Sequence, residues 1–306
     1  MNTLDMQARQ MRRQNKIDRY AILILFLVPP LLFFTLFVIL PIFQAAYYSI
    51  YKWNGLGPLT NYIGIKNFIN IFQDKVFIKS LIHNIGIILL SLIIQLPIAF
   101  MLAVVVARKT FKGVVFFRML FFLPYIFSEV ITGLIFRFLF NPQFGVIQLV
   151  LSPFLAEGKS IGLLGDPNTV FGAIFSVITW KYLGLHMIIY IAGIQNIPDE
   201  LEEAALIDGC NRWNIIRNII IPLSVPSILI SVFFSIVGSL TLFDVVWAMG
   251  KGDPIHSGEV MVTYLYKYGF LRFQMGYGSA VAVVIFLICL VFNFFYQRFL
   301  LNRETI

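Results

Sequence analysis

Six runs of this chain, at about residues 20–49, 77–107, 116–140, 170–194, 223–249 and 277–300, are apolar over lengths that water-soluble folds seldom use. A helix needs about 20 apolar residues to cross the hydrocarbon core of a bilayer, so six such runs constrain the chain to thread a membrane repeatedly. Hydrophobic residues make up 59% of the chain and charged residues only 12%, against roughly 25% charged in soluble domains. The mean hydropathy is +0.86. So little charge cannot cover a water-facing surface. The expected fold is all-α: a polytopic membrane protein of six transmembrane helices. A basic segment over 1–19 precedes a transmembrane domain over 20–306.

The first run is far longer than a signal-peptide core and no small-residue cleavage pattern follows it, so it reads as a retained span. Prolines Pro29, Pro30 and Pro41 fall inside it; membrane helices tolerate such kinks. The net charge of +8 is spread between the spans and not gathered in one patch, which argues for membrane orientation over nucleic-acid binding. Arg9, Arg12, Arg13, Lys16 and Arg19, then Arg108, Lys109, Lys112 and Arg118, then Arg298 and Arg303 all fall on one side if there are six spans. That side, with both termini, is expected to be cytoplasmic. Cys210 and Cys289 are far apart and His83, His186 and His256 are scattered, so neither a disulfide framework nor a metal site is indicated. Residues 63–72 and 144–154 look like short helices on the outer face, and Gly165-Asp166-Pro167 marks a turn. No internal repeat is evident.

The loop over 196–222 has its own structure. Ile197-Pro198-Asp199-Glu200 is a helix start, with proline at the first turn and acids near the positive end of the helix dipole. Asp208-Gly209 marks a stop and a sharp turn. A second helix follows, ended by Pro222. Asp199, Glu200, Glu202, Glu203 and Asp208 outnumber Arg212 and Arg217. Either these acids face a basic groove of a partner, which the small Ala204 and Ala205 let come close, or they face solvent.

The pattern Glu203-Ala204-Ala205, three residues, Gly209, nine residues, Ile219, one residue, Ile221-Pro222 resembles the EAA loop of bacterial ABC-importer permeases, with Ile221 where that family usually has leucine. In the family this loop is the coupling helix that docks in a groove of the cytoplasmic ATPase. The resemblance covers nearly the whole chain: Pro29 and Pro41, Gly64-Ile65-Lys66-Asn67-Phe68, Leu123-Pro124, Trp180 and Gly184, Gln195-Asn196-Ile197-Pro198, Phe243-Asp244, Gly252-Asp253-Pro254 and Gly276-Tyr277-Gly278-Ser279-Ala280. These are similar to the binding-protein-dependent sugar permeases of the maltose, lactose and glycerol-phosphate group, in the smaller six-span version. The resemblance implies the type I ABC importer permease fold in a bacterial cell membrane. It assigns Glu203, Ala204, Ala205, Asp208, Gly209 and Pro222 to ATPase coupling.

Ionisable residues within a span are functional candidates by default. Glu129 falls in the middle of the third run, with Arg137 eight residues on as a conceivable partner, and Asp244 falls in the outer half of the fifth. Each either lines a solute path or serves packing. Ser227, Ser231, Ser235 and Ser239 recur every four residues on one helix face. Such a stripe is either close helix packing or, with Gly238, part of a cavity wall. Positions that contact sugar in the maltose-type relative fall on Ser235, Gly238, Ser239 and Leu242, and near Ile178, Tyr182 and Leu185. Tyr182, His186 and Tyr190 share a face of the fourth run, where tyrosine could stack on a sugar ring; Trp180 reads as packing.

An intramembrane enzyme would need aspartate-rich metal motifs or a glycine-framed serine with a paired histidine, and neither is present. A secondary transporter would show internal symmetry and would have no use for the loop. An ABC permease for another solute, such as glycerol phosphate, phosphate or peptide, is the remaining alternative. The chain has no phosphate-binding loop, so ATP and magnesium would belong to the ATPase and no cofactor to this chain. The expected partners are a second permease subunit, two ABC ATPase subunits, an extracellular solute-binding protein, a sugar, and membrane lipid; no nucleic acid is expected.

Overall fold

The computed structural model describes residues 23–108, 113–151 and 162–299, and is helical throughout those stretches apart from connecting loops. The N-terminal segment over 1–19, Lys109, Lys112, Lys159 and Arg303 lie outside the described residues. Four helices are long and apolar enough to span a membrane: α1 (Leu23–Tyr48), α3 (Lys75–Ala107), α7 (Val170–Gln195) and α13 (Met275–Phe299). Two further spans are bent pairs, and counting each pair as one crossing gives six. The first pair is α4 (Val114–Ile126) with α5 (Glu129–Leu139), bent by 97°; the second is α9 (Arg212–Leu223) with α10 (Val225–Leu240), bent by 69°. Shorter helices fill the connections: α2 (Lys66–Gln73), α6 (Val146–Leu151), α8 (Asp199–Ile207), α11 (Asp244–Gly250) and α12 (Met261–Leu265, continued by Tyr266–Leu271). α2 and α6 realise the short helices expected over 63–72 and 144–154, the latter as far as it is described.

Two expectations about the spans are corrected. The third is not one straight helix: Phe127 and Ser128 are extended (ψ 143° and 144°) between its halves. Pro124 lies inside α4, which runs on to Ile126, so the proline does not itself sit at the break. The fifth ends at Leu240 and not near 249; Thr241–Phe243 break the chain and α11 is a separate helix.

Prolines also shape the continuous helices. Each of the wide turns Thr35–Ile39, Ser91–Gln95 and Ile216–Ile220 closes on the residue directly before Pro41, Pro97 or Pro222, through an N–H bonded five residues back. The proline ring clashes with the carbonyl four residues earlier, and one widened turn relieves it.

Between helices in lipid there is little hydrophobic driving force, so close packing has to hold them. Ala99, Ala103 and Ala107, one helical turn apart, are all buried on α3 and pack with Met187, Tyr190, Ile191 and Ile194 of α7 in one cluster. Ile197, Ala205 and Ile215 belong to the same cluster, which anchors the loop after α7 to the ends of the spans. Gly184 lets α7 touch the backbone of α4 at Phe121 and Phe122. At the opposite end, the Tyr264 hydroxyl donates to Asp74 at 2.7 Å and lies 2.8 Å from that of Tyr277. Burial, then these hydrogen bonds, push the Tyr264 phenol well above its ordinary pKa, so it remains a donor.

Candidate functional site

α3, α7 and α10 enclose a cavity of about 240 Å³ near the middle of α3 and α7. Its wall from α7 is Ile178, Tyr182, Leu185 and His186; its wall from α10 is Phe234, Ser235, Val237, Gly238 and Ser239, with Leu242 just beyond. α3 adds Ile87, Ser91 and Gln95, and α4 adds Tyr125. Ser91 and Gln95 bound the wide turn before Pro97. The lining therefore alternates apolar surface with hydroxyl, amide and imidazole groups and carries no charged side chain, the balance expected of a site for a neutral polar ligand. His186 is only 3% exposed, and its Nδ1 is buried without a hydrogen-bond partner. Ser239 Oγ donates to the Ser235 carbonyl at 2.7 Å and can still accept. A Cβ at Gly238 would meet nothing within 4 Å.

The break in the third span adjoins this cavity. The Tyr182 hydroxyl donates to the Glu129 carboxylate, at the first residue of α5. Arg137 forms no ion pair with Glu129 among the described residues; the partner comes from α7. The neighbouring Lys181, 2% exposed, donates to the Phe127 carbonyl at 2.5 Å and reaches that of Tyr125 at 3.5 Å. Asp244 is exposed, begins α11 and is not among the cavity-lining residues. α11 packs on α5, where a Cβ at Gly133 would stand 2.6 Å from Ala248 Cβ.

The loop over 196–222 folds as a helix, a turn and a helix. α8 begins at Asp199, after Pro198 and not on it. Gly209 closes α8 at φ +82°. Its N–H bonds the Leu206 carbonyl at 3.1 Å and the Cys210 N–H bonds that of Ala205 at 2.9 Å, the paired pattern that only a left-handed residue after the helix permits. Asn211 then caps α9, accepting from the Asn214 N–H at 2.8 Å.

The acids of α8 divide into two groups. Asp199 and Glu202 are each 2.7 Å from the Arg108 guanidinium, which also donates to the Ile197 carbonyl at 3.0 Å. These two therefore face the chain's own α3, not an outside groove. Glu200, Glu203 and Asp208 remain exposed, beside exposed Leu201, Leu206 and Ile207. Ala204 is exposed but Ala205 is buried in the core, so only the first of the two alanines offers a bare surface. Pro222 lies within the last turn of α9, two residues before the 69° bend.

Residues 95–301 match the family described as "Binding-protein-dependent transport system inner membrane component". The chain belongs to this family. It is 34% identical over 290 residues to the "Probable ABC transporter permease protein YurN" of Bacillus subtilis, covering 94% of this chain and 98% of that protein. It is 31% identical over 308 residues to the "Diacetylchitobiose uptake system permease protein NgcF" of Streptomyces coelicolor, covering 97% and 86%. Among solved structures, a chain of the bacterial alginate ABC transporter in complex with alginate pentasaccharide-bound periplasmic protein superposes with a TM-score of 0.79 at 26% identity, covering 93% of this chain and 95% of that one. The permease is thus a multi-pass membrane protein with the ABC importer permease fold.

Of the path residues expected for the permease, Tyr182, His186, Ser235, Gly238, Ser239 and Leu242 line one cavity, Glu129 touches it through Tyr182, and Asp244 stands apart. Tyr190 shares their helix face but sits in the core against Phe100. Ser227 is a packing residue: a Cβ at Gly193 would fall on it. Ser91 and Gln95 of α3 also line the cavity and Lys181 of α7 stands behind two of its aromatic walls, none of them among the residues expected from sequence. Their signal was present as polar residues inside otherwise apolar runs. Among the described residues no group of three or more His, Cys, Asp or Glu could hold a metal ion.

Proposed function

We propose that this permease is one transmembrane subunit of an ATP-driven bacterial importer and forms half of the path for a carbohydrate, most simply an oligosaccharide, delivered by an extracellular binding protein. The observation that carries this is the convergence of Tyr182, His186, Ser235 and Ser239 on one mid-span cavity, at positions that resemble the sugar contacts of the maltose-type relative. A sugar needs donors and acceptors for hydroxyls and flat apolar walls for ring faces, and this lining has both. The relative named for diacetylchitobiose uptake and the structural neighbour from an alginate transporter, solved with an alginate pentasaccharide-bound periplasmic protein, support the substrate class.

In this reading α8 lies in the cytoplasm and is the coupling helix that docks on an ATPase subunit. Glu203 and Ala204 supply its exposed polar and bare surface and Leu201, Leu206 and Ile207 its apolar contacts; Gly209 closes it, and Pro222 ends α9, the second helix of the loop. A second permease chain faces the cavity from the other side. The groove of about 760 Å³ between Lys52–Asn70 and Phe273–Tyr277, at the opposite end of the spans, faces the binding protein. ATP binding draws the coupling helices together and opens the cavity outward; hydrolysis returns it inward. This chain supplies the path and the lever, and the ATPase supplies the chemistry.

The test is reconstitution of the complex with its binding protein and a panel of oligosaccharides. Stimulated ATP hydrolysis and uptake are expected with at least one neutral glycan, and Glu203→Lys should abolish the stimulation. Unchanged stimulation and uptake in Glu203→Lys would remove the coupling assignment, and stimulation only by a non-carbohydrate solute would remove the substrate class.

A further inference from the structure

We infer that Lys181 and Glu129 clamp the break in the third span to α7 from its two sides, the lysine directly and the glutamate through Tyr182, and so fix two aromatic walls of the cavity. A break within a span leaves backbone groups without helical partners, and no water in the hydrocarbon core can satisfy them. The carbonyls at the end of α4 meet this problem, and the Lys181 ammonium, placed where the helix dipole is negative, solves it at Phe127 and Tyr125. On the other side of the break Glu129 opens α5 and accepts from Tyr182, an acid where the dipole is positive. Consecutive residues of α7 thus hold both half-helices, one by a cation and one by a phenol beside an anion. Each charge is costly alone in a membrane and less so near its opposite. The two charges make no direct ion pair; Tyr182 lies between them, its ring centre 5.6 Å from the ammonium and its hydroxyl on the Glu129 carboxylate.

The clamp reaches the cavity directly. The ammonium stands 5.9 Å from the ring centre of Tyr125 and 5.6 Å from that of Tyr182, and both rings line the cavity. Tyr125 comes from α4 and Tyr182 from α7, and the two rings meet edge to face at 6.1 Å. Lys181 itself is not in the lining. It is a positioning residue: it acts on a ligand through the two tyrosines.

The inference rests on the proposed transport function only for its second readout. The first is a double-mutant cycle on thermal unfolding of the full-length chain purified in detergent, which involves no substrate. Lys181→Met and Glu129→Gln should each lower the melting temperature, and the double variant should lose clearly less than their sum, because each single change leaves the opposite charge in the span without its neighbour and both act on the same break. Lys181→Arg keeps the cation and should restore most of the loss. Additive losses, or a Lys181→Met chain as stable as the parent, would overturn the clamp. If Lys181→Met does not assemble at all, the double variant decides: recovery of assembly supports the clamp, and continued failure refutes it. In the reconstituted complex, Lys181→Met should raise the half-saturating oligosaccharide concentration by about tenfold, the effect of one lost charge-assisted contact on ligand placement, with basal ATP hydrolysis unchanged. A fall in maximal rate at unchanged half-saturation would show that Lys181 does not position the cavity walls. A parent complex that takes up no sugar would refute the transport reading and leave the unfolding cycle standing.

Discussion

Replacing Arg108 by methionine should release α8 from the end of α3. The guanidinium makes three bonds to the segment: Glu202 at 2.7 Å, Asp199 at 2.7 Å and the Ile197 carbonyl at 3.0 Å. They are not equal. The Arg108 and Glu202 side chains are 23% and 24% exposed, and a hydrogen bond to a charged group so shielded contributes about 1.5–3 kcal/mol. Asp199 is 69% exposed, so its bond belongs with surface pairs, at about 0.2–1 kcal/mol. The carbonyl bond adds about 1 kcal/mol. Glu202 recovers some hydration when freed, so the lower end of the sum applies, about 3 kcal/mol, or roughly a hundredfold in the ratio of docked to undocked segment. Methionine keeps most of the aliphatic stem, so apolar packing should change little. Hydrogen exchange followed by mass spectrometry on the full chain reads this directly, since the amides over 197–207 should lose protection by about that factor while those of α13 do not. Arg108→Lys should recover only part, because one ammonium cannot serve two carboxylates and a carbonyl in a fork. Protection over 197–207 unchanged within about threefold in Arg108→Met would refute the tether.

Gly209→Val forces a β-branched residue to φ +82°, where an L-residue costs about 1–2 kcal/mol or more; binding-protein-stimulated hydrolysis should fall steeply while the spans stay folded, and full stimulation would count against the turn's role. Ser239→Leu places a branched side chain inside a cavity of about 240 Å³ and should raise the half-saturating sugar concentration in uptake assays without loss of assembly; normal uptake would return Ser239 to packing. Asp244→Ala, at an exposed position outside that lining, should impair uptake less than Ser239→Leu, and an equal or larger loss would place Asp244 on the path. Gly133→Leu drives a side chain into Ala248 and the Val245 carbonyl, 2.6 and 2.9 Å from where its Cβ would stand; overpacking of about 1–3 kcal/mol should lower the melting temperature, and an unchanged one would deny the close approach of α5 and α11.

The number and place of the spans were legible because length and apolarity alone decide them, and α3, α7 and α13 begin and end close to where the runs do. The loop was legible because Pro198, the acids after it and Gly209 are local signals with local causes. The bends were not. Pro124 announces a disturbance, but prolines 29, 30 and 41 all lie within a helix that continues unbroken, so proline in a span does not by itself tell a kink from a 97° break. That difference rests on Lys181, whose cation makes the extended Phe127 tolerable, and a contact 54 residues away in sequence leaves no local trace. The serine stripe was half legible. Its periodicity showed that one face is shared, but Ser227 lies under Gly193 while Ser235 and Ser239 reach the cavity. Where along α10 the wall changes from helix to cavity depends on how α3 and α7 cross it. Which acids of α8 stay free was not legible for the same reason, since the arginine that claims Asp199 and Glu202 comes from the far end of another span.

The loop and the cavity share α7. From Gln195 back to Lys181 is about 21 Å along the helix at 1.5 Å per residue, and that stretch has no internal break. At its loop end, the Gln195 amide donates to the Ala107 carbonyl at 2.9 Å and Ile194 shares a core with Ala205 of α8. In its middle, Lys181 and Tyr182 hold the two halves of the third span while Tyr182 and His186 face the cavity. Under the proposed function a push on α8 therefore has a stiff element to travel along and two ready breaks, at Phe127 and at Ser224, to absorb the turn at its ends. Continuous spans on all sides would resist such a motion through packing at every level. A chain with bends beside its cavity and beside its coupling loop can change the first when the second moves, without unpacking the alanine seam between α3 and α7.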